Sequence, residues 1–229
     1  MKQFHKIILS ALLVLAVSMG FTFTAAPQIP PSASEVARYE GLHQAAYRGD
    51  VAAISALIAA GAELEARDPS GRTPAHVAVF ASHDLALRAL ADAGANLNAL
   101  ENQAYDIVTI AAVANDLKIL DLALSLGASP ANVTSPYEGT ALIAAAHLGH
   151  HAVVKRLIEA GAPLDHVNNL NWTALIEAVV LGDGGPDHVE TVQALVDAGA
   201  DKNIADRQGV TPLEHARARE YVNIIAILE

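Results

Sequence analysis

Apolar residues recur at three- and four-residue intervals in five stretches: Ile54, Leu57, Ile58; Leu87, Leu90; Leu120, Leu124; Val153, Val154, Leu157, Ile158; and Val192, Leu195, Val196. That spacing puts one apolar stripe along each of five predicted helices. Each stretch runs into a Gly-Ala pair, at Gly61-Ala62, Gly94-Ala95, Gly127-Ala128, Gly161-Ala162 and Gly199-Ala200, with separations of 33, 33, 34 and 38 residues. A glycine there supplies the left-handed residue that closes a helix without a Cβ penalty. About a dozen residues later a second kind of helix opens, at Thr73-Pro74, Thr140-Ala141, Thr173-Ala174 and Thr211-Pro212. The threonine caps free amides of the first turn, and proline at the first helical position gives up no usable donor. Alanines follow (Ala75, Ala78, Ala144, Ala145, Ala146, Ala174, Ala178), so this first helix can pack closely.

One unit is therefore a helix, a tight turn near Gly49 or Gly149, a second helix, Gly-Ala and an extended connector. Gly71-Arg72-Thr73-Pro74-Ala75-His76-Val77-Ala78 is similar to the opening motif of ankyrin repeats, and Gly149 to Ala162 is similar to their second half. The resemblance runs from about Tyr39 to Glu229, because motif, period and order agree. It implies an all-α repeat solenoid, an ankyrin-repeat stack of about six helix-turn-helix units with β-hairpin or loop fingers. The units lie near 40–72, 73–105, 106–139, 140–172, 173–210 and 211–229. A four-helix bundle would leave the regular glycines unexplained.

Three departures matter. The third unit opens with Asp106-Ile107-Val108-Thr109, so Asp106 must serve as its cap. The connector between the third and fourth units has an extra residue within 128–139. The fifth unit has five extra residues around Leu181–His188, where glycine and proline predict a longer surface loop and not a longer helix. At the ends, charged residues (Glu35, Arg38, Glu40; Arg217, Arg219, Glu220) are suited to blunting an open solenoid.

Residues 1–26 have the layout of a secretory signal: Lys2, His5 and Lys6 ahead of an apolar run from Ile7 to Phe23, then Thr24, Ala25 and Ala26. Cleavage is expected between 24 and 34, and residues 27–38 form a Pro/Ser-rich linker and N-terminal cap. The alternative is an uncleaved anchor, since the apolar run reaches the lower limit of about 17–25 residues for a span. Either way the folded part is expected outside the cytoplasm, in a bacterial periplasm or else secreted. Asn132-Val133-Thr134 and Asn171-Trp172-Thr173 match the glycosylation acceptor pattern, and a sugar on Asn171 would crowd the expected working face.

Composition then removes function classes. The chain is 52% hydrophobic, only 4% aromatic and 17% charged, which excludes disorder and disfavours a β-sandwich. It has no cysteine, so no disulfide scaffold, thiol nucleophile or thiolate metal site is available. A net charge of -11 speaks against a nucleic-acid partner held through phosphates.

No catalytic constellation stands out, and neither an enzyme nor a cofactor is expected. His147, His150 and His151 are the best metal candidates, yet Gly-His is the ordinary turn of the family the chain resembles, so no metal is assigned. His43 and His76 occupy its repeated histidine position, which implies hydrogen bonds to backbone between repeats. The resemblance places variable contact positions just before each Thr-Pro start and late in each first helix. Tyr47, Phe80, Tyr105, Tyr137 and Trp172 fall there, with Arg48 and Arg72 beside them. Aromatics and arginine are what interface hot spots use. The expectation is a monomeric protein-binding module whose concave face, rimmed by Glu101, Asp183, Asp187 and Arg207, holds a protein with a basic patch, with no membrane contact beyond the N-terminal segment. Inhibitor, immunity or scaffold roles in the periplasm fit that module; the alternatives are a secreted effector binding a host protein and, behind it, a metal-dependent protein built on His147, His150 and His151.

Overall fold

The computed structural model describes residues 28–229, so the segment read as a signal lies outside the described residues. A short helix, α1 (Ala33–Val36), precedes six helix pairs. The first helices of the pairs are α2 (Gly41–Arg48), α4 (Pro74–Phe80), α6 (Ile107–Val113), α8 (Ala141–His147), α10 (Ala174–Val180) and α12 (Pro212–Ala218). The second helices are α3 (Val51–Ala59), α5 (Asp84–Asp92), α7 (Leu117–Ser125), α9 (His151–Glu159), α11 (Pro186–Asp197) and α13 (Val222–Leu228). First helices pack on first helices and second on second, each only with its own repeat or the next. This one-dimensional stacking defines a solenoid.

Two kinds of helix follow from two kinds of sequence. The inner first helices are enclosed on nearly every side, and Ala78, Ala111, Ala112, Ala145, Ala146 and Ala178 have no exposed surface. Only a methyl-sized side chain leaves room there for the neighbouring helix. The second helices bury a single stripe, such as Leu87 and Leu90 or Val153, Val154 and Leu157, and carry ion pairs on the outer side. Lys118–Asp84, Arg156–Asp121 and Lys155–Glu190 each tie one repeat to the next. Caps match the motif: Thr140, Thr173 and Thr211 each accept a first-turn amide, and in the third unit Asp106 accepts from Thr109 N at 2.8 Å.

Of the two expected finger forms, hairpin and loop, the structure has the loop. Among the described residues there is no strand, only an isolated bridge between Thr134 and Gly139. Each connector is closed by a five-residue loop instead. The amide of Asp68 donates to the Arg72 carbonyl, while Asp68 Oδ1 accepts from the amides of Ser70 and Arg72 at 2.9 Å. Glu101, Asn168 and Asp206 repeat that arrangement. Side-chain oxygens take amides that a second strand would otherwise need. In the fourth-unit connector the closing bond runs from Thr134 N to Gly139 O, which locates the extra residue inside that loop, around Tyr137. Neighbouring fingers are joined by Asn102 N to Ser70 O, Ser135 N to Ala104 O and Asn169 N to Tyr137 O.

The fifth-unit insertion departs from expectation. The helix α11 has 12 residues where α9 has 9, so the insertion lengthens the helix as well as the loop. Pro186 sits at its start, where a missing amide costs nothing, and Asp183 Oδ1 accepts from Gly185 N at 2.8 Å. The longer helix restores register. His83 bonds the Tyr47 carbonyl, His150 that of Ala112, His188 that of His147, and the Tyr221 hydroxyl donates to that of Gly182. His188 lies 38 residues after His150, yet it makes the same bond to the previous repeat.

Leu157 is fully buried in α9. Leu157→Ala is expected to cost roughly 2–5 kcal/mol of unfolding free energy, read from urea or guanidinium denaturation. Gly71 has φ +77°, and a Cβ there would stand 2.2 Å from Asn102 Oδ1 and 2.9 Å from the Asn102 amide. Gly71→Ala is therefore expected to destabilise by at least about 1–2 kcal/mol, combining left-handed strain with a broken finger-to-finger bond. An unchanged denaturation midpoint in either variant would contradict the corresponding packing.

Candidate partner-binding face

The residue seven positions after the N-cap of each first helix recurs along the stack as Tyr47, Phe80, Val113, His147, Val180 and Ala218. Tyr47 is 39% exposed, Phe80 is half-buried, and Leu148, directly after His147, is 41% exposed. Leu148 was not singled out by its sequence position, because a leucine after an alanine-rich helix reads as core. Tyr137 and Trp172 are both half-buried, at the fingers. Asn168 Oδ1 holds the Trp172 amide at 2.9 Å, fixing the backbone from which the indole projects.

Two expected contact residues are buried instead. Arg72 is 3% exposed and Tyr105 6% exposed. The residue before the start of the first helix is therefore closed off in the second and third units, while Trp172, at the same position of the fifth, is only half-buried. Arg72 pairs with Glu35 at 3.2 Å and with Asp68 at 3.3 Å, and also donates to the Tyr39 hydroxyl at 3.2 Å. Its guanidinium carbon lies 5.7 Å from the centre of the Phe80 ring, a cation–π distance. Burial, reinforced by nearby Glu101 and Tyr137, pushes the Tyr105 phenol up from its ordinary value. Arg48 is exposed and lines a shallow groove between α2 and α3 with Gln44, Ala53 and Leu57.

The repeated histidines bridge repeats through backbone. His43 Nε2 is 2.9 Å from the Arg72 carbonyl, and His76 Nε2 is 3.3 Å from that of Tyr105. His76 Nδ1 accepts from the Thr73 amide at 3.1 Å, so Nε2 carries the proton and donates across the repeat. Burial is the main reason its pKa falls to about 4, with the Arg67 charge adding to it.

Of the candidate metal histidines, His150 serves the backbone ladder. The other two find carboxylates that are distant in sequence. His147 Nδ1 lies 3.4 Å from Glu177, and His151 lies 3.5 Å from Asp187 and 3.7 Å from Glu190. His147 thus has one carboxylate and His151 two, and no group of three or more His, Cys, Asp or Glu side chains suited to a metal occurs among the described residues. Asp183 is held below its ordinary pKa by the Gly185 amide and His188, as a helix-cap residue would be. The two acceptor-pattern asparagines are engaged as well. Asn132 Nδ2 donates to Asp106 and Asn98, and Asn171 Nδ2 to the Ala205 carbonyl.

A solenoid of helix pairs with stacked fingers defines the class, and comparison with known proteins agrees. The family model for ankyrin repeats (three copies) matches residues 32–101 and 108–206. The chain belongs to the ankyrin-repeat family. It is 32% identical over 186 residues to the ankyrin repeat protein YahD of Escherichia coli K12, covering 80% of this chain and 92% of that one. A crystal structure of an ankyrin repeat domain from Acinetobacter baumannii AYE matches with a TM-score of 0.76 at 42% identity, covering 82% of this chain and 95% of that one. The ankyrin repeat protein EF0377 matches with a TM-score of 0.74 at 31% identity, covering 83% and 98%. An L-asparaginase of Dirofilaria immitis is 30% identical over 173 residues, but these span only 28% of that protein, so its activity is not carried over. The family is in general a protein-interaction scaffold and not a catalyst.

One titration follows from the geometry. Between about pH 6.5 and pH 4 the unfolded chain takes up a proton at His76 that the folded chain refuses. Stability contributed by this ring is therefore complete above pH 6.5 and falls as the pH drops to about 4, by up to about 3 kcal/mol, then levels off. Urea midpoints at pH 7 and pH 4.5 should fall less in His76→Gln than in the parent. An equal fall in both proteins would place the effect elsewhere.

Proposed function

We propose that the protein is an exported ankyrin module that grips another protein along its inner curve. The observation that carries this reading is the row at the ends of the first helices, where Tyr47 and Leu148 stay exposed beside half-buried Phe80, with Tyr137 and Trp172 above them at the fingers. Large apolar side chains left open on a rigid face are an interface signature. Internal ion pairs and backbone ladders already rigidify the stack, so little ordering entropy is lost on binding.

The address belongs to the same proposal: the basic start, apolar run and small residues of 1–26 direct the module to the periplasm, with secretion as the alternative. The acidic net charge of -11 suits a partner with a basic patch and speeds encounter. There the module inhibits, neutralises or shields its partner by covering it. A photo-crosslinking residue placed at Leu148 or Trp172 of the full chain in its native cell should capture one protein. The same residue at Lys118, 82% exposed on the outer side, should not. Equal capture from both sides, or none from the inner side, would defeat the reading, and cell fractionation checks the address.

A further inference from the structure

The segment before the first helix pair does not trail away from the stack. Residues 30–36 lie across the inner face of the first two repeats. Ser32 caps α1, with Glu35 N on Ser32 Oγ and Glu35 Oε2 returning to Ser32 N at 2.8 Å. The other oxygen of Glu35 reaches Arg72 at 3.2 Å and accepts from Ser70 Oγ at 2.9 Å. Further back, Pro30 and Pro31 form one wall of a cleft of about 390 Å³, with Tyr47, Phe80, Ala81 and His83 as the other. The anchors are linked: Arg72 stands over Phe80, Tyr39 packs edge-on to Tyr47 at 6.3 Å, and His83 holds the Tyr47 carbonyl.

One feature marks an imperfect occupant: the cleft beside the prolines is left open, so the aromatic wall lacks contacts that a fuller segment would make. We infer that the inner face of the first two repeats is a docking site for an extended, proline-containing peptide whose carboxylate reaches Arg72, and that residues 30–36 are an intramolecular stand-in which such a peptide displaces. Proline rings laid on Tyr47 and Phe80 lose little entropy, since the extended form is already their ground state. The Glu35 carboxylate, held down to about 2 first by its bonds to Ser32 and then by Ser70 and Arg72, keeps its charge through the physiological range. Release therefore comes by competition and not by mild acid. This site rests on the binding role proposed above and specifies the chemistry of the segment it takes.

The test needs no native partner, which separates its failure from that of the broader reading. The chain has no cysteine, so Ala81→Cys gives a single thiol in the cleft whose labelling rate reports whether the strap is seated. The probe is a fluorescent synthetic peptide of residues 28–38, added to the full chain, to Glu35→Ala and to the double variant Pro30→Ser/Pro31→Ser. The seated strap competes as a tethered ligand in the parent. Opening it should therefore speed labelling and tighten probe binding by about tenfold or more. A probe with both prolines or its glutamate replaced should lose that gain, and so should Phe80→Ala in the opened chain.

Faster labelling without saturable probe binding in either opened variant would overturn the proposal. So would labelling as fast in the parent as in both variants, since the strap would then not be seated. A parent that sediments as a dimer, and becomes monomeric in Glu35→Ala, would assign the cleft to the segment of a second copy and overturn the intramolecular arrangement.

Discussion

No helix pair in this chain can bury its own apolar surface. Each first helix is enclosed only when the first helices before and after it are in place, and the alanines with no exposed surface record how closely they must approach. The same dependence governs the polar groups. Carbonyls at the helix ends and finger bases of one repeat are satisfied by histidines or a tyrosine of its neighbour, as with His43 on Arg72, His76 on Tyr105 and His188 on His147. An unpaired buried carbonyl is costly, so the ladder fixes the spacing between repeats as firmly as the aliphatic packing does. Rigidity comes from repetition, without disulfides or a large aromatic core.

A stack built this way has two open ends, and the ends differ. At the C-terminal end Arg217 pairs with Glu229, and Arg219 donates to the Val180 carbonyl, so charge both faces water and ties the last pair inward. At the other end Glu35 does not simply face solvent. It turns in to neutralise Arg72, a guanidinium too deeply buried to stand without carboxylates on it. Capping and partner recognition thus meet at one residue, because the group that quiets Arg72 also draws the N-terminal segment over the inner face.

The repeat register was legible in sequence because it is written in residue types with few substitutes. Glycine ends helices, threonine or Asp106 starts them, and alanine marks the close approach. The Arg72 and Tyr105 side chains were misplaced for a physical reason. Position within a repeat tells which way a residue points from its own unit, but Arg72 is covered by Tyr39 and Glu35, 33 and 37 residues earlier, and Tyr105 has Tyr137 of the next finger close by. The same blindness hid the carboxylates of His147 and His151, which come from the following repeat. It also hid the strap, since nothing local in Pro30-Pro31 says that Tyr47 and Phe80 are waiting across the curve.

The five-residue insertion shows what such a stack tolerates. Extra chain between the helices of the fifth unit could have shifted every later contact. Pro186 starts the helix early, Asp183 closes the short loop, and His188 arrives at the height where a histidine is needed. Tyr221 then meets the Gly182 carbonyl in turn, so the sixth pair is seated as though nothing had been inserted. Extra chain is thus absorbed in the turn between the two helices, while the ladder residues on either side of it keep their bonds to the neighbouring repeats.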